Sequence, residues 1–210
     1  MKEDTTLKQQ IERALSSRPM AVVELGCGPS KRHREAIGID ALPYPEVDIV
    51  SDINEALSLF PSSSLNEVHS YHCLEHIENI EALMNELARV IIPGGLLHVS
   101  VPHFSNPYFY SDPTHRHTFG LYSFSYYAFT TLLKRTVPSY MKTFHFEIER
   151  LRLGFKSPRP FYGRWLIKKI FGRIFNLNYY LMEFYEENLC YLIPCYEIEF
   201  WLKRNENPFT

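Results

Sequence analysis

Residues 21–30 read A-V-V-E-L-G-C-G-P-S, an apolar run that ends in an acidic residue and a G-x-G turn. Gly26 and Gly28 have no Cβ, so the backbone can approach a bound molecule closely at this turn. In open parallel α/β sheets, ligands bind beyond the carboxyl ends of the strands. The stretch therefore predicts a first strand over 20–25 with a ligand at its tip.

Further short apolar runs follow along the chain. I-G-I-D at 37–40 and D-I-V-S-D-I at 48–53 each contain a run that ends in an acidic residue, and 65–71 and 96–101 have the character of strands. Residues 78–91 carry apolar side chains at the spacing of an amphipathic helix. Strands that alternate with helices predict an α/β fold with a mostly parallel sheet.

Two longer motifs complete the series, H-C-L-E-H-I at 72–77 and E-L-A-R-V-I-I-P-G-G-L-L-H-V-S-V-P-H at 86–103. With the motifs before them, and in this order, they resemble class I S-adenosylmethionine (SAM)-dependent methyltransferases. More closely, it resembles small methyltransferase-domain proteins with L-E-H-I and P-G-G motifs. The resemblance spans 20–103 and implies a Rossmann-like sheet with an antiparallel last strand, SAM as cofactor and S-adenosylhomocysteine (SAH) as product.

The resemblance also implies cofactor contacts at the strand ends. They are Glu24, Gly26, Cys27, Gly28, Asp40, Asp52, Ile53, His72 and Leu74. Asp40 would accept hydrogen bonds from the ribose hydroxyls, as the acid of dinucleotide-binding folds does. Asp52 would accept from the adenine amino group, with Ile53 packed on the ring. His72 and Leu74 would border the sulfonium side of the cofactor.

The connection at 29–36 is shorter than the dozen or more residues of an ordinary parallel crossover. A shortened first crossover is therefore predicted, and Lys31, Arg32 or Arg34 could supply the charge for the cofactor carboxylate, unless this is simply an exposed basic loop. The shortening keeps open an alternative, a SAM-binding scaffold or regulatory protein without turnover. A dinucleotide oxidoreductase is disfavoured, since the turn reads G-x-G-P and not G-x-G-x-x-G.

Residues 104–118 form a long loop of polar and aromatic side chains, the kind of segment that often carries function. We predict His115 as the general base, with His103 as its rival, because an imidazole suits proton removal near neutral pH. Asp112 would orient an imidazole or bind the acceptor. The other predicted acceptor contacts are Tyr108, Tyr110, Arg116 and His117, with Arg116 meeting an anionic group. The alternative is a loop held together by its own Asp–His and Asp–Arg contacts.

The resemblance and this loop together predict O-methylation of a small polar acceptor, such as a sugar or a sugar-lipid. No metal site is predicted. His72 and His76 lie four residues apart and would share a helix face, but Glu75 is off that face and no third ligand is near in the sequence.

The second half of the chain, 104–194, is predicted to be the substrate side, following a cofactor-binding half at 20–103. Most of the aromatic residues lie here, in an aromatic-rich insertion that precedes an antiparallel last strand at 195–203. A helix is predicted over 122–133 and a strand over 144–151. Residues 164–175 mix basic and large apolar side chains at helical spacing, which indicates a membrane-interface or lipid contact, an oligomer (homodimer) contact, or a helix packed on its own domain.

The composition bounds the class of protein. The 210 residues fit a single domain, 1–210, and 45% hydrophobic with 22% charged residues is typical of a globular protein. A net charge of −2 gives no reason to expect a nucleic-acid partner. The four cysteines have no zinc spacing, and the polar N-terminus has no signal-peptide pattern, so a reduced, cytoplasmic setting is expected. The expected partner is a small-molecule acceptor.

Overall fold

A computed structural model describes residues 2–18, 20–138, 144–157 and 160–209. The helices are α1 (Lys2–Ser16), α2 (Ile53–Leu59), α3 (Ile80–Val90), α4 (Tyr162–Phe175) and α5 (Tyr179–Asn188). The strands are β1 (Val22–Leu25), β2 (Ile37–Asp40), β3 (Ile49–Val50), β4 (Leu65–Tyr71), β5 (Ile91–Pro102), β6 (Ala128–Phe129), β7 (Phe144–Gly154) and β8 (Glu197–Phe209). Short 3₁₀ turns lie at Leu74–His76, Phe109–Ser111 and Ser123–Tyr126.

The eight strands form one sheet in the order β3-β2-β1-β4-β5-β8-β7-β6. The last strand, β8, lies between β5 and β7 and runs antiparallel to both, whereas the other paired strands are parallel. The helices α4 and α5 form the aromatic-rich insertion between the last two strands. This architecture confirms the predicted Rossmann-like sheet with an antiparallel last strand.

One face of the sheet holds the main core. Val23 of β1, Val68 of β4 and Leu97 of β5 share this face by their register and are fully buried. Leu57 of α2 and Leu87 of α3 belong to the same apolar cluster. The apolar periodicity that predicted α3 therefore corresponds to burial against the strands, which is the main stabilisation of an amphipathic helix.

The opposite face carries stacked polar rings. His69 and His98 are register partners on β4 and β5, and His98 stacks on Trp201 of β8 with 4.5 Å between ring centroids. His33 stacks on His69 at 3.8 Å. His33 lies within 26–36, where the chain makes turns and no helix, so the shortened first crossover is confirmed.

The strand β5 is longer than its predicted bounds. Its first residue, Ile91, pairs with Leu65, and its next partner pair is Leu96 with Glu67. The P-G-G turn thus lies inside the strand as a bulge, and Gly94 there has φ +80°. Glycine suits this position because it adopts the left-handed region without a Cβ penalty.

The predicted helix over 122–133 is wrong. The segment instead makes the 3₁₀ turn at Ser123–Tyr126 and then β6, which pairs with the edge of β7. The Ser123 hydroxyl accepts a hydrogen bond of 2.9 Å from the Gly120 N–H, which favours a tight turn. Phe124 is buried against Phe200, so its burial rests on long-range packing and not on helical spacing.

The helix predicted within 164–175 is present as α4. It packs on its own domain at its C-terminal end, where Phe175 is buried in the core and Phe171 packs against it, whereas most of the helix before them is exposed. The membrane or lipid contact and the oligomer contact remain predictions. Among the residues that the structure describes, no helix is long and apolar enough to cross a membrane.

Candidate active site

The turn after β1 is open on one side. Gly26 and Gly28 have φ +62° and +60°, the left-handed region that favours glycine. A Cβ on Gly26 would lie 2.6 Å from Sγ of Cys73, whereas a Cβ on Gly28 would meet nothing within 4 Å. Gly26 is therefore required by packing within the protein, and Gly28 leaves free space beside the backbone for a ligand.

The two acids at the neighbouring strand ends lie on this same rim. Asp40 accepts a hydrogen bond of 2.8 Å from the Gly28 N–H and one of 2.9 Å from the Leu42 N–H. Asp52 caps α2, and its Oδ1 accepts from the Asn54 N–H at 2.8 Å. Each carboxylate oxygen has more than one acceptor site, so both residues can also accept from a nucleoside.

Two other predicted cofactor residues lie inside the rim. Burial, with the nearby charges of Asp40 and Glu24, raises the pKa of the Cys27 thiol to about 11, so this thiol is neutral at pH 7. Ile53 is buried at the start of α2. The four cysteines of the chain are free and buried, with no disulfide among them.

Glu24 has a structural role that the resemblance did not imply. Its carboxylate is buried and accepts hydrogen bonds from the Arg32 N–H at 3.0 Å and the His33 N–H at 2.9 Å. The guanidinium of Arg32 lies 4.1 Å from the ring centroid of Tyr71. Glu24 thus holds the short crossover against the sheet, and a direct cofactor contact would have to share this carboxylate.

His72 follows β4 and joins two buried glutamates. Its Nε2 lies 3.0 Å from Glu197 and its Nδ1 lies 3.7 Å from Glu75. Burial alone would lower the pKa of His72, but its hydrogen bond to Glu197 and the nearby carboxylate of Glu75 outweigh burial and raise the pKa to about 9. Burial alone would raise the pKa of Glu197, but hydrogen bonds from His72 and Lys156 lower it to about 2. His72 and Glu197 are therefore charged at neutral pH.

Leu74, the other residue predicted near the sulfonium, is fully buried in the apolar core. Its side chain therefore does not line the open rim, and its predicted place beside the sulfonium stays a prediction. Sequence reasoning missed Glu197 and Glu75. For Glu197, the available signal was its position at the start of a strand whose alternate residues, Ile198 and Phe200, are apolar. For Glu75, it was the position between Leu74 and a histidine.

The loop 104–118 docks on the segment that follows β4. The backbone N–H of Arg116 donates to the carbonyl of Glu75 at 2.7 Å. This contact brings His115 beside Glu75 and His76, with 4.9 Å between the two imidazole centroids. Each imidazole Nε2 lies 4.0 Å from Oε1 of Glu75, and Nε2 of His115 lies 3.7 Å from Oδ2 of Asp112.

The hydrogen bonds at the other ring nitrogens assign the tautomers. Nδ1 of His115 lies 2.9 Å from the carbonyl of Phe109, which can only accept, so this Nδ1 carries the proton. The Thr114 hydroxyl donates to Asp112 at 2.6 Å and so accepts from Nδ1 of His76 at 2.9 Å. In the neutral rings, both Nε2 atoms therefore carry lone pairs.

One carboxylate oxygen in this cluster has no hydrogen-bond partner. Glu75 is 1% exposed, and its Oε2 is buried without a partner among the described residues. Glu75, His76 and His115 offer ligand atoms within 4.8 Å of one another. The cluster can therefore take up a proton or hold a divalent cation. The sequence considered His76 together with His72, but the structure groups His76 with Glu75 and His115.

The surroundings of His103, the alternative base, do not favour that role. It is fully buried, its Nδ1 accepts from the Ser105 N–H at 3.1 Å, and its Nε2 lies 3.1 Å from Glu186. With Nδ1 accepting, Nε2 carries the proton and donates to the carboxylate. Both nitrogens thus serve the packing of the protein, and no acceptor molecule can reach them.

Of the four predicted acceptor residues, Arg116 is exposed and His117 is half-buried. Tyr108 and Tyr110 are exposed, and the Tyr110 hydroxyl donates to the carbonyl of Phe104. Arg116 lies 3.5 Å from Glu78, and Nε2 of His117 lies 3.3 Å from the Glu78 carbonyl. Their contact with an acceptor stays a prediction.

Comparison with known proteins decides the family. The chain matches the methyltransferase domain over residues 2–136. It belongs to this family. The methyltransferase is an enzyme that uses SAM, as its sequence predicted. The cofactor contacts at Gly28, Asp40 and Asp52 stay predictions.

Two solved structures share the fold of this methyltransferase. A SAM-dependent methyltransferase from Archaeoglobus fulgidus is 15% identical, with 96% of this chain and 94% of that chain covered at a TM-score of 0.57. The [4+2]-cyclase SpnF is 14% identical, with 97% and 81% covered at a TM-score of 0.51. Identities this low show the fold alone. Among curated proteins, none matches the chain.

Proposed function

We propose that this methyltransferase acts on a hydroxyl group of a small polar acceptor, such as a sugar or a sugar-lipid. The observation that carries the proposal is the position of Nε2 of His115, which lies 4.0 Å from the carboxylate of Glu75 and 3.7 Å from that of Asp112. A hydroxyl is a weak nucleophile until its proton is removed, and a positioned base contributes about 10²- to 10⁴-fold to such a step.

Residues 20–103 hold the cofactor in this proposal, and residues 104–194 hold the acceptor. SAM supplies a methyl group that its positively charged sulfur has already activated. The open backbone at Gly28 would face the cofactor, Asp40 would hold the ribose and Asp52 the adenine. Cys73 packs directly on Gly26, so the segment that carries Glu75 begins at the glycine turn.

The proton passes from the acceptor hydroxyl to Nε2 of His115. The Phe109 carbonyl holds the ring in the tautomer with Nδ1–H, which leaves Nε2 free to accept. The imidazolium that forms is then stabilised by Asp112 at 3.7 Å and Glu75 at 4.0 Å. Because the His115 side chain is half-buried and the Asp112 side chain is exposed, the acceptor would enter from the Asp112 side.

The test is SAH release with a panel of sugars, sugar phosphates and sugar-lipids. With a responsive acceptor, His115→Ala should lower kcat by about 10²- to 10⁴-fold. Its affinity for SAH, measured by titration calorimetry, should stay within about twofold of the wild type. His145→Ala, on β7 away from the cluster, is the matched control and should keep the wild-type rate.

An unchanged kcat in His115→Ala would remove the base assignment. Binding of SAM without release of SAH for any member of the panel would favour the scaffold alternative. That alternative arose from the short crossover, yet Glu24 secures the crossover and the space at Gly28 stays open.

A further inference from the structure

A cavity of about 630 Å³ lies between α4 and the adjoining ends of β7 and β8, outside the candidate active site. We define it as the basic pocket by the six cationic side chains that line it. These are Arg32, Arg152, Lys156, Lys168, Lys169 and Arg173. Two carboxylates, Glu197 and Glu199, also line it, so the formal charge of the lining is strongly positive.

Two of the cations are paired, and four are not. Lys156 pairs with Glu197, and Arg152 lies 3.4 Å from Glu199. Among the residues that the structure describes, no carboxylate forms an ion pair with the other four cations.

Aromatic faces take the place of counter-ions for two of these four. Arg32 lies over the ring of Tyr71, and the Lys169 ammonium lies 4.9 Å from the ring centroid of Trp165. An aromatic face attracts a cation but carries no net charge. The like charges therefore converge on one cavity without compensation, and a bound phosphate would relieve their repulsion.

The basic pocket adjoins the candidate active site through one residue. Glu197 lines the pocket, and one of its carboxylate oxygens pairs with Lys156 there. Its other oxygen lies 3.0 Å from Nε2 of His72, at the tip of β4. A group bound in the pocket is therefore separated from the rim of the active site by a single side chain.

The helix α4, which supplies three of the cations, also exposes large apolar side chains. Trp165, Leu166, Ile167 and Ile170 are 46%, 55%, 54% and 50% exposed. Residues 156–182 contain no acidic residue, so this apolar surface is flanked by positive charge alone. Such a combination suits an amphiphile with an anionic head group and an alkyl chain.

We propose that the basic pocket binds the phosphate group of an amphiphilic acceptor whose alkyl chain lies along the apolar surface of α4. The acceptor class is then a phosphate-bearing lipid, such as a lipid-linked sugar. The naming of this molecule as acceptor rests on the proposed function, but its binding requires no turnover.

The probe is dodecyl phosphate below its critical micelle concentration, titrated by calorimetry. Inorganic phosphate tests the head group alone, and dodecyl β-D-maltoside tests the chain with a neutral head group. Dodecyl phosphate should bind at least tenfold more tightly than either. The double variant Lys168→Ala/Arg173→Ala should lose at least tenfold of this affinity, whereas Lys8→Ala/Arg13→Ala on α1 should retain it.

The contact with the alkyl chain is tested by the double variant Leu166→Ser/Ile170→Ser. Both residues are exposed, so the variant should keep the wild-type Tm in a thermal melt. This variant should bind dodecyl phosphate more weakly than the wild type and bind inorganic phosphate with unchanged affinity. Equal binding of dodecyl phosphate and the maltoside would overturn the role of the pocket, and equal binding of inorganic phosphate would overturn the role of the chain.

Two further outcomes would also overturn the proposal. One is binding to phosphatidylglycerol vesicles without binding of monomeric dodecyl phosphate, which would assign the surface to a membrane. The other is a homodimer that Leu166→Ser/Ile170→Ser dissociates while dodecyl phosphate affinity stays unchanged. Failure of probe binding with hydroxyl methylation intact would overturn this inference alone. Probe binding without any methyl transfer would overturn the proposed function alone.

Discussion

The two glycines of the first turn have different roles in the structure, and alanine at each should separate folding from cofactor binding. Both have positive φ, so either substitution carries the cost of placing a Cβ in the left-handed region, about 1 kcal/mol. At Gly28 this is the whole effect on folding, because the new Cβ meets nothing within 4 Å. At Gly26 the Cβ would lie 2.6 Å from Sγ and 2.7 Å from Cβ of the buried Cys73.

The overlap at Gly26 adds the cost of overpacking a core, about 1–3 kcal/mol. Gly26→Ala should therefore be destabilised by about 2–4 kcal/mol in total, and Gly28→Ala by about 1 kcal/mol. For a chain of this length, each 1 kcal/mol lowers Tm by about 2–4 °C. Thermal melts should thus show a small shift for Gly28→Ala and a clearly larger one for Gly26→Ala.

The effects of the two substitutions on SAH affinity should be in the opposite order to their effects on stability. The new Cβ of Gly28→Ala fills the space in which the cofactor would approach the protein backbone. We therefore expect SAH affinity to fall at least about tenfold, or ~1.4 kcal/mol. Gly26→Ala, measured below its Tm, should lose less affinity than Gly28→Ala. Calorimetric titration with SAH checks both values. Wild-type SAH affinity in a folded Gly28→Ala protein would refute the placement of the cofactor at this turn.

Two further predictions concern the charged groups of the site. Glu197 has a folded pKa of about 2 against an ordinary value of 4.5, so its stabilisation is present above pH 4.5 and is lost as the pH falls toward 2. The difference in free energy of unfolding between the wild type and Glu197→Gln should therefore shrink by about 3 kcal/mol between about pH 6 and pH 2 in urea titrations; a constant difference would contradict the charge of this carboxylate. Zinc should inhibit methyl transfer, because it would occupy the Nε2 lone pairs of His76 and His115 beside Glu75, and EDTA should restore the rate. An activity that EDTA abolishes and a divalent ion restores would instead show that the cluster requires a metal.

The positions of the predicted cofactor residues at the strand ends could be predicted because the signals for them are local. A buried parallel strand is a short apolar run, and the acid or glycine that follows it lies at the carboxyl edge of the sheet. Gly28, Asp40 and Asp52 all follow this rule. Their placement requires only the order of the motifs along the chain.

The roles of Glu24, Leu74 and His103 could not be predicted in the same way. Each depends on where a distant or irregular segment runs: Glu24 on the short crossover, Leu74 on the core and His103 on Glu186 of α5. The prediction of a helix over 122–133 was wrong for a related reason, because the aromatic residues of this segment are buried by contacts with distant parts of the chain. Sequence periodicity reports only packing that repeats along one element.

The cluster of Glu75, His76 and His115 lies between these cases. Its members belong to two motifs that the sequence singled out separately, and their meeting depends on the backbone contact from Arg116 to Glu75. A loop contact of this kind has no periodic signal. The central acid of the cluster was therefore missed, although both of its histidine neighbours had been noted.

The most direct test of the account is a crystal structure of the methyltransferase with SAH. The account predicts a nucleoside that spans the tips of β1, β2 and β3, with its backbone contact at Gly28, its ribose at Asp40 and its sulfur on the side of Glu75 and His115. A structure in which the protein's own side chains fill that rim, with SAH elsewhere or absent at saturating concentration, would contradict it.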